Sequence, residues 1–502
     1  MRKIKLLACG VALLLPGCHL SMKGLDQAQL PGAESHPAPA VQVPDGFRAV
    51  RVVQGLDYPS AMTWDAAGTL YILESHTVPV PLTRRRILKV VKEHLEEVKL
   101  DGPDAPTGET AVGLTFHEGW LYLSHEQKDG TFGVSRVRPE GGLVEAVLRG
   151  LPAQGDHDVN YLVFDGQGTL YFGLGSATNS GIVSSHDPVN GKWLAKLPAA
   201  HDIPCKDVVL TGEKYTEEDA TTPAAGDKST TGAYQKYGSA DATTVAGEAL
   251  CTGAVYKLPR GARAPELVAW GFRNPVALAV DGSGVLFVGM HGADIRGTRP
   301  VIDDPDAVYR VRAGAWYGWP DYSAALLPFT DPRYLPPQQY LAEGHTRVDP
   351  VFDLARSGLQ PPDRSLLVSA TAPHAALGGM TFVPRGGPFA RWAGQLLISE
   401  MGDFKPTTDP VHPDDHAGFQ VEAVDVASGT RTVFARNRGA GPALPASTLD
   451  LQEAFERPVD VKVGPDGLVY VLDFGVFRST ATAANVMPKT GKVFRIEPIP
   501  RP

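Results

Sequence analysis

Six times along the chain, a stretch of alternating apolar and polar residues runs into a tight turn and resumes as an apolar pair. The first three copies are Tyr58-Pro59 through Trp64 to Leu70-Tyr71, Val112 through Phe116 to Leu121-Tyr122, and Val159 through Phe164 to Leu170-Tyr171. The next are Asn274-Pro275 through Val280 to Leu286-Phe287, Leu377 through Phe382 to Leu396-Leu397 with a longer turn, and Arg457-Pro458 through Val463 to Val469-Tyr470. A period of two, broken by Asp- or Gly-containing turns, predicts β-hairpins of half-buried strands. Further strand-like runs follow, at Ile87 to Val91, Gly133 to Val137, Ala254 to Leu258, Ala307 to Val311, Val421 to Val426 and Lys492 to Ile496. A hairpin plus one or two outer strands, repeated six times, predicts an all-β six-bladed β-propeller. The irregular spacing between copies reads as loop insertions. The largest, about 175–250, should cover one face.

Setting the copies in register on the last apolar residue before the turn (Trp64, Phe116, Phe164, Val280, Phe382, Val463) exposes a second pattern. Seven residues earlier stand Asp57, Glu109, His157, Arg273, Ala375 and Glu456, and one position later Tyr58, Thr110, Asp158, Asn274, Ala376 and Arg457. Residues just ahead of each innermost strand ring the mouth of a propeller's central channel, so the register predicts a ring of mixed charge. Polar residues also start strands merely to satisfy loop backbone groups, which is the plain alternative for any one of them. The turn after each second strand lies on the same face and should bring Glu74 and His76, His125 and Glu126, His291 to Asp294, Glu400 and Asp473 to the rim. Carboxylates and carbonyls around a concave centre suit a hard cation such as Ca²⁺. No HExxH motif or close His pair points to a transition metal.

Composition adjusts this picture in two ways. The 54 Gly and 43 Pro demand many turns, and a net charge of −9 leaves no broad basic surface for nucleic acid. Arg2, Lys3 and Lys5 precede an apolar run from Ile4 to Leu15 that is too short to span a bilayer, and Leu15-Pro16-Gly17-Cys18 resembles a bacterial lipobox. The expected organisation is a lipoprotein-type signal peptide over 1–18, a disordered Pro- and Ala-rich tether over 19–45, and the propeller over 46–500. Export to the periplasm or to the outer membrane of a bacterium follows, with membrane attachment only through a lipid on Cys18. In an oxidising compartment Cys205 and Cys251 are expected to form a disulfide closing the insertion.

The segment Trp270-Gly271-Phe272-Arg273-Asn274-Pro275 resembles the GxRNP signature of the soluble pyrroloquinoline quinone (PQQ) dependent glucose and sorbosone dehydrogenase family. Tyr317-Gly318-Trp319-Pro320, Gly464-Pro465-Asp466-Gly467 and His157, five residues before Leu162, match it as well. The resemblance implies a propeller that binds PQQ over Ca²⁺ at the channel mouth and oxidises a sugar, aldose- or sorbosone-like, by base-assisted hydride transfer. His157 would be the catalytic base. Arg273 would stabilise charge on the reduced cofactor, Arg273 and Asn274 would contact it, and Arg457 would be one of two stacked arginines. Glu109 lies near a polar position that touches the quinone, and the carbonyls of Gly292 and Ala293 would hold the calcium. The sequence departs from the family at two cations: a lysine is missing near Leu397 to Gly402, with Lys405 close by, and the second arginine is Val459.

Two other readings of the same ring are a calcium-dependent lactonase or esterase, with Asp57, Glu109 and Asn274 as ligands, and a non-catalytic surface propeller that binds a glycan or a protein.

Overall fold

The computed structural model describes residues 32–75, 85–106, 110–187, 193–219, 226–479 and 484–500. The predicted signal segment with Cys18, the rim residue His76 and the candidate Glu109 lie outside them.

The chain folds as a six-bladed β-propeller whose four-stranded antiparallel blades follow one another around an axis. Blade one is Pro59–Trp64, Leu70–Glu74, Arg86–Val91 and His94–Val98; blade two is Ala111–His117, Trp120–Glu126, Phe132–Val137 and Glu145–Leu151. Blade three is Val159–Phe164, Leu170–Leu174, Ala254–Leu258 and Glu266–Trp270; blade four is Asn274–Val280, Leu286–His291, Pro305–Arg310 and Leu367–Pro373. Blade five is Leu377–Phe382, Leu396–Glu400, Gln420–Val424 and Arg431–Asn437; blade six is Pro458–Val463, Val469–Asp473 and Gly491–Pro498, completed by the N-terminal Phe47–Leu56. Pairing of Phe47–Leu56 with Gly491–Pro498 closes the ring with strands from opposite ends of the chain. Closure of this kind leaves the circle without an open seam between first and last blades.

The sequence register holds in every blade. Trp64 faces Leu70, Phe116 faces Leu121, Phe164 faces Leu170, Val280 faces Leu286, Phe382 faces Leu396 and Val463 faces Val469. Alternate residues of each strand turn toward neighbouring blades, so Ala61, Leu73 and Ile87 of blade one bury against Leu114, Leu121 and Leu123 of blade two. Each such leucine or isoleucine contributes about 1.5–3 kcal/mol by leaving water. Every inner hairpin also carries a bulge near its mouth end, for example between Val159 and Leu162 and between Pro275 and Ala277. A bulge bends the strand and re-aims the residues before it.

Of the residues expected as a tether, His36–Pro37 pairs with Val50 and Arg51, and Val41–Gln42 pairs with Arg436 and Asn437. The chain therefore joins the propeller about ten residues before the boundary read at 46. The insertion runs from the end of Leu170–Leu174 to the start of Ala254–Leu258, holds two small ribbons, and is closed by the Cys205–Cys251 disulfide. A second long excursion, between Pro305–Arg310 and Leu367–Pro373, has no strand pattern and was not legible in the sequence. It packs on the first: Thr211 N–H donates to the Val351 carbonyl at 3.0 Å, and Val209 N–H to Ser357 Oγ at 2.8 Å.

Candidate active site at the channel mouth

His157 stands just ahead of the inner strand of blade three, where Gly175 lets it pack closely: a Cβ on Gly175 would lie 2.2 Å from the His157 Cβ and 3.3 Å from Asn274 Oδ1. Its Nδ1 is 2.8 Å from the Ser176 carbonyl and 3.2 Å from Ser176 Oγ. A carbonyl only accepts, so Nδ1 carries the proton and Nε2 keeps the lone pair. Nε2 has no hydrogen-bond partner among the described residues. Burial holds the ring's pKa well below the usual histidine value, and the positive charges of Arg273 and Arg296 push the same way. His157 is thus a neutral base with its free nitrogen unspent. The flanking carboxylates Asp156 and Asp158 are not its partners; the Ser176 carbonyl orients the ring.

Arg273, 3% exposed, is the second predicted member and joins the same network. Its Nε donates to Asn179 Oδ1 at 3.1 Å and the Asn179 carbonyl at 3.2 Å, and Nη2 donates to Asp294 Oδ2 at 2.8 Å. Nη1 has no partner among the described residues. Arg296, which the register did not reach, is the hub beside it: Nη1 lies 2.7 Å from Asp156 Oδ2 and 2.8 Å from Asp187 Oδ2, and Nε 3.0 Å from Asp294 Oδ2. Burial pushes the Asp156 carboxyl up to about 6 although Arg296 opposes the rise, and Trp193 of the insertion donates its indole N–H to it at 3.0 Å. Burial alone would raise Asp294 too, but Arg273, His374 and Arg296 hold it well below the usual carboxylate range.

Asn274 is spent within the ring. Its Oδ1 accepts from Asn160 Nδ2 at 2.7 Å, and its Nδ2 lies 3.2 Å from His291 Nδ1. His291 Nε2 in turn donates to the Leu377 carbonyl at 2.7 Å, so one chain of hydrogen bonds ties blades three, four and five.

Gly292 and Ala293 follow directly. The Gly292 N–H donates to Asp306 Oδ1 at 2.9 Å, the Ala293 N–H to Asp304 Oδ2 at 2.6 Å, and the Asp294 N–H to Asn179 Oδ1 at 3.0 Å. In a trans peptide the carbonyl points opposite to the N–H of the next residue, so the Gly292 and Ala293 carbonyls face away from Asp304 and Asn179. Neither accepts a hydrogen bond among the described residues. Glycine is required at 292 because a Cβ there would lie 2.4 Å from the Pro305 carbonyl oxygen.

Arg457 is placed elsewhere. Its Nη1 donates to the carbonyls of Gly402 and Asp403 at 2.9 Å each, its Nε to that of Phe477 at 3.2 Å, and the rings of Phe404, Phe419 and Phe477 enclose it at 4.8, 4.9 and 5.1 Å. Burial pushes its pKa down to about 10. No direct hydrogen bond or ion pair joins it to His157 or Arg273 among the described residues. Val459 is buried beside it, and Lys405 Nζ is taken by the Asp415 carbonyl at 2.6 Å and Asp409 at 3.1 Å. Two more ring positions are satisfied locally: Asp57 Oδ1 accepts from the Lys489 N–H at 2.8 Å, and Glu456 Oε2 from Ser447 Oγ at 2.8 Å.

Among the described residues no group of three His, Cys, Asp or Glu side chains is set to hold a metal ion.

No protein-family model and no curated protein matches the chain. Solved structures do. The holo PQQ domain of pyranose dehydrogenase from Coprinopsis cinerea is 14% identical, with 91% of this chain and 97% of that chain covered at a TM-score of 0.50. A calcium structure of a Trichoderma reesei carbohydrate-active enzyme of family AA12 is also 14% identical, with 92% and 98% covered at 0.50. A gluconolactonase from Xanthomonas campestris is 11% identical, with 95% and 99% covered at 0.40. At such identities the likeness shows a shared propeller fold, and PQQ-dependent sugar dehydrogenases are among the structures that share it.

Proposed function

We propose that the mouth bordered by blades three to five oxidises a sugar-class hydroxyl, an aldose hemiacetal or a related alcohol, with His157 as the base and PQQ, seated beside Ca²⁺, as the electron-accepting cofactor. The observation that carries this reading is the state of His157. Its Nδ1 is committed to the Ser176 carbonyl, its pKa is depressed, and its Nε2 is open. Oxidation of an alcohol removes the hydroxyl proton while a hydride leaves the same carbon, and a neutral imidazole is suited to the first task. PQQ supplies the hydride acceptor that no side chain can be.

The groups left unspent after the ring has satisfied itself are those the reaction needs. Nη1 of Arg273 can meet negative charge, and the outward carbonyls of Gly292 and Ala293 are hard oxygen ligands of the kind Ca²⁺ takes. The shared fold of the PQQ-bearing pyranose dehydrogenase domain supports the same assignment. The cofactor's carboxylates have fewer cations to meet, because Arg457 and Lys405 are engaged within the protein. Cofactor affinity is accordingly expected to be modest. Of the side-chain calcium ligands a lactonase would use, Asp57 already accepts the Lys489 N–H and Asn274 the Asn160 amide.

The test is to add PQQ and Ca²⁺ to the purified protein, follow binding by tryptophan fluorescence, and measure dye reduction across a panel of aldoses for the wild type and His157→Ala. Binding with turnover that disappears in His157→Ala is expected. Binding without turnover on any aldose would remove the sugar reading, and no binding at millimolar Ca²⁺ would remove the quinone.

A further inference from the structure

Blade five is the gap in the ring as the sequence presents it, since Ala375 and Ala376 occupy both register positions. The structure fills the gap from one residue earlier. His374 has φ +62° and Ala376 φ +54°, so two non-glycine residues within three positions adopt the left-handed conformation. That backbone is costly for side chains other than glycine, by on the order of 1 kcal/mol each, and persists where the surroundings impose it. Its effect is to turn the His374 side chain inward, where it is 5% exposed.

The imidazole lies between two carboxylates from different elements. Nδ1 is 3.4 Å from Asp294 Oδ1 in the turn after blade four's second strand, and Nε2 is 3.9 Å from Asp409 Oδ2 in the segment 401–419 that leads into Gln420–Val424. Nε2 is buried and has no hydrogen-bond partner among the described residues. Both carboxylates are shared. Asp294 also holds Arg273 and Arg296, and Asp409 also holds Lys405 at 3.1 Å and His412 at 3.3 Å. The same two elements touch once more through backbone, where Ile295 N–H donates to the Thr408 carbonyl at 3.1 Å.

We propose that His374 is a positioning residue of the mouth, a bridge between Asp294 and Asp409 that sets the Arg273–Asp294 pair beside His157 and ties the 403–418 segment to it. Ion pairing with both carboxylates, at 3.4 and 3.9 Å, calls for the charged imidazolium. Burial disfavours that form. The hydrogen bond to Asp294 and the charges of Asp294, Asp306 and Asp409 outweigh burial and raise the pKa above the usual histidine value. The cations behind these carboxylates, Arg273, Arg296 and Lys405, are already paired with them. A raised folded-state pKa means that the bridge is fully made below pH ~6.5 and is lost as pH climbs through the folded value.

The inference rests on reading the mouth as the site, but its test needs neither cofactor nor substrate. Amide hydrogen exchange of the full chain is followed over 403–418 and over 292–296 for the wild type, His374→Ala, His374→Gln and His374→Asn. Glutamine places its amide near Nε2 and asparagine near Nδ1. His374→Ala is expected to speed exchange over 403–418 about tenfold. His374→Gln should restore protection of 403–418 but not of 292–296, and His374→Asn the reverse. In the wild type alone, protection of 403–418 corrected for intrinsic rate should fall as pH rises above ~6.5. Equal behaviour of Gln and Asn, or a pH profile unchanged by either, overturns the bridge; if His374→Ala does not fold, the Gln and Asn comparison decides alone. A dehydrogenase assay that fails while the exchange pattern holds removes the proposed reaction and leaves the bridge standing.

Discussion

The two halves of the mouth are built from the same kinds of residues and end up with different free valences. Around blades six and one, Arg457 donates to three backbone carbonyls and to that of Phe477, Asp57 caps the Lys489 N–H, and Glu456 takes Ser447. Around blades three to five, Arg273, Arg296, Asp156, Asp187 and Asp294 are as deeply buried and as fully cross-linked, yet His157 Nε2, Arg273 Nη1 and two carbonyls have no partner among the described residues. Groups at a mouth that make no hydrogen bond within the protein keep that capacity for a ligand. Charge at a rim is therefore a poor guide to function; unspent hydrogen-bonding capacity is the better one.

The sharpest way to break this contrast is to remove an arginine from the quiet half. Arg457→Ala strands at least three carbonyls and empties an aromatic box, and should cost about 3–5 kcal/mol in denaturant unfolding. A loss under about 1 kcal/mol would mean that Arg457 is not structural. The complementary change, His157→Ala, should lower the turnover of any active aldose by about 10²–10⁴ with little change in unfolding midpoint. If the two variants lost stability and activity in parallel, the halves would not differ in kind.

A smaller effect is expected from the insertion that borders the active half. Replacing Cys205 and Cys251 by serine opens a loop with a sequence separation of 46 and should cost about 2–4 kcal/mol, with the first exchange seen at residues 177–187 and 193–219 rather than in the blades. Arg273→Lys keeps the charge but loses the fork that holds Asn179 and Asp294 together. It should weaken PQQ binding by about 2 kcal/mol, roughly thirtyfold, whereas removing Ca²⁺ with a chelator should act equally on wild type and variant. The mildest expectation is kinetic. A base with a depressed pKa stays unprotonated as pH falls, so the acid limb of the rate profile should have its midpoint below pH ~6.5. A midpoint at or above that value would contradict a buried, neutral His157.

The ring of hairpins was legible because a strand's period and its turn are local, and six repetitions leave little freedom. The placement of His157, Arg273 and Asn274 at the mouth was legible for the same reason, each standing at a fixed offset from the turn. Arg296, Asp187, Asn179 and Trp193 were not, since they sit in loops whose positions no periodicity encodes. His374 was missed by one residue because two left-handed residues shift the approach to blade five. Arg457 shared the offset of Asn274 but meets the backbone of the 401–419 segment, and nothing in the sequence around it announces that segment's path.

Local patterning thus decided the architecture and the approximate rim, because both depend on hairpins between residues close in sequence, whereas closure of the ring by Phe47–Leu56 on Gly491–Pro498 did not. Which rim groups pair with one another, and so which remain free to act, depended on loops from blades three, four and five meeting over the axis. Hydrogen-bond partners at separations of about 20 to 140 residues are chosen by three-dimensional proximity, and only the folded ring brings them within 3 Å.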